Sequence, residues 1–89
     1  MKKFVIEREL PGAGKLSAEE LAAISATSCA VVDQIGKPYH WIQSFVTAEK
    51  IYCIHIAESE QVIREHAQKG NFPVSSISEV TAVIDPTTK

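Results

Sequence analysis

Three histidines, two cysteines and a pair of strand carboxylates are the side chains here with the widest chemical reach. Cys53 and His55 stand two residues apart in an extended segment, so both point to the same side. His40, on the preceding extended segment, joins them on that face if the two pair in regular register. Thiol and imidazole together suit a soft transition metal. No close-spaced Cys/His motif accompanies them, and the competing reading packs Cys53 in the core with both histidines at sheet margins. His66 falls on the apolar side of a helix, one turn after Val62, where a backbone carbonyl is its expected partner. Glu65-His66 is not H-E-x-x-H, because no second histidine follows.

Glu7 and Glu79 belong to segments expected to neighbour each other. Two close carboxylates can hold a hard cation or share a proton, or pair with lysine or arginine across a subunit seam. Gly12-Ala13-Gly14-Lys15 resembles a phosphate loop only in part: the first glycine is missing, and Leu16 stands where Ser or Thr belongs. No G-x-S-x-G elbow is present, and neither cysteine has a motif-defined histidine partner. Covalent catalysis has no support in the sequence.

These side chains need a scaffold. Phe4 to Glu9 alternates as a first strand. Pro11-Gly12-Ala13-Gly14 breaks the chain, and Ser17-Ala18-Glu19-Glu20 has the form of a capping box. Leu21, Ile24, Ser28, Val31, Val32 and Ile35 then recur at helical spacing until Gly36. Tyr39–Val46 and Ile51–Ile56 read as a hairpin around a short polar turn. Ser59 opens a second helix carrying Val62, Ile63, His66 and Ala67, stopped by Gly70. Ile77–Ile84 makes a last strand, and 85–89 a tail. The whole, 1–89, is one α+β domain of ferredoxin-like βαββαβ order: a four-stranded antiparallel sheet, 4-1-3-2, with both helices on one face.

The opposite face is then bare. With Val46 opposite Ile51 and regular pairing, the covered face collects His40, Ile42, Ser44, Val46, Ile51, Cys53 and His55. The bare face collects Tyr39, Trp41, Gln43, Phe45, Tyr52, Ile54 and Ile56. In the last strand Ser78, Val80, Ala82 and Ile84 suit the covered side, which turns Glu79 and Val83 to the bare one. A bare face with Trp41, Phe45, Tyr52, Ile54 and Val5, interrupted by Glu7, Gln43 and Glu79, marks an interaction site. Two sheets packed face to face, a homodimer of α/β-barrel type, account for it. The polar groups among the aromatics form the candidate ligand site.

With 89 residues, 45% of them apolar, and a net charge of -2, disorder, collagen and a disulfide knot are excluded. The mild acidity argues against nucleic acid as partner. No apolar run approaches the roughly 20 residues that cross a bilayer, so no membrane is expected. The start of the chain is too briefly apolar for a secretory signal, which leaves the cytoplasm as the expected location. Cys29 and Cys53 are expected as small buried groups rather than a disulfide.

Several stretches together resemble one family. They are Glu7-Arg8-Glu9-Leu10-Pro11-Gly12, Ser28-Cys29-Ala30-Val31, Trp41 through Thr47, Lys50 through Ile54, Arg64-Glu65-His66-Ala67, Ser78-Glu79-Val80, and Ala82 through Thr88. The family is one of small bacterial domains of unknown function, whose members are labelled nickel-binding-protein-like, and the resemblance runs from Phe4 to Thr88. It implies a ferredoxin-like fold, a homodimer and binding of a divalent transition metal such as nickel, without a known reaction. Many members carry a histidine where this chain has Gln43, and a glutamine amide binds nickel poorly.

The expectation is therefore a homodimeric binding protein with a ligand site at Glu7, Trp41, Gln43, Phe45, Tyr52 and Glu79. His40, Cys53, His55 and His66 are its candidate metal ligands. The alternative is an enzyme with a cavity between sheet and helices, by analogy of fold only.

Overall fold

The computed structural model describes residues 1–89. Its strands are β1 (Lys2–Glu9), β2 (Tyr39–Val46), β3 (Lys50–Ala57) and β4 (Ser76–Glu79); its helices are α1 (Ala18–Ile35) and α2 (Glu60–Gly70). The sheet runs β2-β3-β1-β4 with every neighbouring pair antiparallel. This is the expected order read from the other edge, and the βαββαβ arrangement stands.

Local chemistry sets the element ends. The Ser17 hydroxyl accepts from the Glu20 amide, and the Glu20 carboxylate accepts from the Ser17 amide, which closes the expected capping box on α1. Gly36 ends α1 with φ 65°, in the left-handed region. At α2 Ser59 takes the N-cap position but makes no side-chain cap bond, and Asn71 rather than Gly70 adopts the left-handed conformation. Between β1 and α1 a 3-10 turn, Ala13–Lys15, docks on the hairpin through the Gly14 amide, which donates to the Ala48 carbonyl at 3.0 Å.

Phe4, Ile6, Ile51, Cys53 and Ala57 from the sheet meet Val31, Ile35, Val62 and Ile63 from the helices in one core cluster. Both helices therefore cover the same face. On α1 the buried residues are Ser28, Val31 and Ile35, all in its second half; Leu21 and Ile24 are only half-buried. The helix packs down at its C-terminal end and stands off the sheet at its N-terminal end.

Two strands depart from the expected pairing. In β2 the register holds from Val46 back to Gln43 and then shifts, with Gln43 opposite Ile54 but Trp41 opposite His55. Ile42 is the extra residue of a β-bulge, which rotates the rest of the strand by one position. Tyr39 and Trp41 consequently face the helices, and His40 faces the bare side, the reverse of the regular assignment. In β4 Ile77 lies opposite Ile6 and packs on the core, so Glu79, opposite Phe4, belongs to the helix side, and Ser76 and Ser78 to the bare side. The strand also ends at Glu79, well short of Ile84; Val83 and Ile84 are exposed. In the tail, the Asp85 carboxylate caps a 3-10 turn at Pro86–Thr88.

Candidate functional site

Where α1 lifts off the sheet there is a cavity of about 530 Å³. Its roof is Leu21, Ile24, Ser25 and Ser28 of α1; its floor is Arg8, Trp41, Ser44, Cys53 and His55 of the sheet. His66 and Phe72 close one end. The volume falls within the roughly 300–1,000 Å³ usual for small-molecule sites, and the walls are mostly apolar around a few convergent polar groups. Sequence reasoning placed the ligand site on the opposite face. The enzyme-type alternative expected a cavity on this side.

The polar groups at the floor form a connected, buried set. Tyr39, 5% exposed, hydrogen-bonds His55 Nδ1 through its hydroxyl, and His55 is itself 1% exposed. Burial pushes His55 down to about 3, aided by His66 and then by the Arg8 guanidinium. Burial holds the Tyr39 hydroxyl well above its usual value, with Arg8 opposing and Cys53 adding to the rise. The buried Tyr39 hydroxyl has no partner other than Nδ1, so its O–H is satisfied only by donating there, which assigns the imidazole proton to Nε2.

His66, also 1% exposed, stands beside this pair: its ring stacks on Tyr39 at 5.0 Å and on Phe72 at 5.4 Å. Its Nε2 lies 3.0 Å from the Ser28 hydroxyl, and a backbone hydrogen bond at Ser28, of the kind expected, favours its charged form. Burial, then Arg8, brings it down to about 4. His66 Nδ1 is buried with no hydrogen-bond partner.

Arg8 is the charge in this set. It shares β1 parity with Phe4 and Ile6, which turns it inward, and it is 5% exposed. Its Nε donates to Cys53 Sγ at 3.4 Å and its Nη1 to the Pro73 carbonyl at 2.8 Å. The guanidinium also sits 5.4 Å over the Phe72 ring. Sequence reasoning passed over Arg8, although the alternation Phe4-x-Ile6-x-Arg8 was its signal. It also missed the Ser28 and Phe72 contacts, which depend on tertiary packing alone.

The expected ligand residues divide between the two faces. Glu7, Gln43, Phe45 and Tyr52 do lie on the bare face, with Val5, Ile54 and Ile56. Glu7 is paired there with Lys50 at 3.6 Å. Trp41 and Glu79 do not: Trp41 lines the cavity, where its indole donates to Ser44 Oγ at 2.9 Å, and Glu79 pairs with Lys2 at 3.8 Å. Glu7 and Glu79 thus point to opposite sides of the sheet and cannot act together.

The metal candidates divide as well. His40 is exposed on the bare face, while Cys53, His55 and His66 lie under the helices. No group of three or more His, Cys, Asp or Glu side chains is arranged to hold a metal ion. Cys53 is buried and free, but Cys29 is free and exposed, which corrects its expected burial.

The chain matches the family model of the nickel responsive protein SCO4226-like over residues 4–80. No curated protein matches it. Among solved structures it is similar to the crystal structure of SCO4226 from Streptomyces coelicolor A3(2), at 16% identity and a TM-score of 0.78, covering 92% of this chain and 99% of that one. At that identity the likeness speaks for the fold alone. No helix is long and apolar enough to cross a membrane.

Proposed function

This chain belongs to the nickel responsive SCO4226-like family, and from that membership and its own geometry we propose a small-molecule-binding domain whose site is the cavity between α1 and the sheet. One observation carries the reading: a cavity of about 530 Å³ lined by an arginine and two neutral imidazoles, all buried. A packed core has neither such a void nor such a concentration of polar groups. The bland alternative for these groups, a satisfied structural network, leaves His66 Nδ1 without a partner.

Nickel enters this reading only through the family description. The donors of one chain do not fit a nickel site: His40 is alone on its face, His55 Nδ1 is bonded to Tyr39, and Gln43 offers an amide.

The test uses the chain's single tryptophan, which lines the cavity. Titration with octanamide, neutral and optically silent, is expected to give a saturable change in Trp41 emission. Ser25→Phe, which fills the roof, is expected to abolish it. No change with either octanamide or octanoate up to millimolar concentration, or an undiminished change in Ser25→Phe, would overturn the proposal.

A second reading concerns assembly and rests on the other face. Val5, Phe45, Tyr52, Ile54 and Ile56 form an apolar surface there, flanked by the Glu7–Lys50 pair. A mixed-sign, apolar patch is self-complementary and suits a second copy of the chain about a two-fold axis. A cytoplasmic setting accords with an exposed free thiol at Cys29.

A further inference from the structure

A buried charge in a folded protein is ordinarily matched by an opposite charge. Arg8 is not. Its residue is 5% exposed, and no carboxylate lies within ion-pair distance of it; the chain's ion pairs are made by Lys2, Lys37, Lys50 and Arg64. Two of its three nitrogens are committed, Nε to the Cys53 thiol and Nη1 to the Pro73 carbonyl. Nη2 has no partner in the protein. The groups around it add no negative charge: Phe72 offers a ring face at 5.4 Å, and His55 and His66 are uncharged imidazoles. The cavity floor therefore carries one uncompensated positive charge, in walls that include Leu10, Leu21, Ile24, Val46 and Ile51.

His55 adds a directional element. With Nδ1 accepting from Tyr39, Nε2–H is left as a donor on a second cavity-lining residue. A cation and a neutral N–H donor over an apolar chamber match one ligand chemistry. We infer that the cavity takes an organic anion with an apolar body, a monocarboxylate in the simplest case, whose carboxylate pairs with Arg8. The inference rests on the cavity reading above and specifies the ligand class for the same site. The apolar body fills the space beneath Leu21 and Ile24, and the carboxylate supplies the charge that the fold leaves out.

The decisive comparison is octanoate against octanamide, which share a chain and differ in charge, read by Trp41 emission at pH 7. Octanoate is expected to bind at least about tenfold more tightly, as a charge-assisted contact with a desolvated guanidinium requires. In Arg8→Met the preference should vanish, with octanamide still bound; in Arg8→Lys, which keeps the cation, octanoate should remain favoured. Equal affinities in the parent protein, or a preference for octanoate that survives Arg8→Met, would overturn the anion assignment and leave the cavity reading standing. Binding of neither compound would sink both. If Arg8→Met does not fold, the comparison in the parent protein and in Arg8→Lys still decides.

Discussion

At the scale of single residues, the most consequential fact is that two imidazoles are buried uncharged beside a buried guanidinium. His55 is held at about 3 and His66 at about 4, both below the ordinary 6.5. The unfolded chain therefore binds more protons than the folded one once pH falls below about 6.5, so stability declines as pH drops from there toward 4. The slope is of order 1.4 kcal/mol per pH unit for each histidine. Urea midpoints at pH 7.5, 6 and 5 should fall steadily below 6.5. A flat profile would mean that the histidines titrate normally. Tyr39→Phe removes the only bond to His55 Nδ1 and should cost about 1–3 kcal/mol in equilibrium unfolding; an unchanged midpoint would remove Tyr39 from the network. Arg8 was legible in principle, because its parity with Phe4 and Ile6 turns it inward. A charged side chain at a buried-parity position is easily read as a strand end.

The elements were largely legible, and where they were not the reasons are physical. The two helices, the capping box and the hairpin follow from spacing and turn chemistry. The bulge at Ile42 has no marker: Tyr39, Trp41, Ile42 and Phe45 are all apolar or aromatic, so either face of β2 accepts either set. That single extra residue places Tyr39 and Trp41 on the helix side rather than the bare face, with Trp41 lining the cavity. In β4 small and aliphatic residues occupy both parities, and alternation alone could not choose Ile77 over Ser78. Deleting Ile42 should remove the bulge, leave Trp41 opposite His55 on the helix side and preserve octanamide binding, which Trp41 emission reports directly; loss of the signal would mean that the strand ahead of Ile42 re-registers. Gly14 tests the docking of the 3-10 turn: a Cβ there would lie 2.9 Å from the Ala48 backbone. Gly14→Ala should lower the melting temperature, whereas Gly14 matters little if the turn can shift freely.

For the whole molecule, the two faces of the sheet differ: one is a bare apolar surface, and the other holds the cavity and the buried polar groups. On the proposed reading a second copy covers the first and a ligand enters the second. If Ile54 lies at a dimer seam, Ile54→Glu should convert a dimer to monomers in sedimentation equilibrium while octanamide binding persists. A monomeric parent protein, or an unaltered dimer in the variant, would remove the sheet face as the interface. The family resemblance was visible in the sequence; the position of the cavity was not, because it arises from how α1 leans, which no local pattern encodes.

On the proposed reading, a ligand binds between α1 and the sheet rather than on the bare face. Amide chemical-shift mapping during octanoate titration tests it most directly. Saturable shifts are expected at Arg8, Leu21, Ile24, Ser28, Trp41 and His55. Shifts confined to Val5, Gln43, Phe45, Tyr52 and Ile54, or none at all, would contradict it.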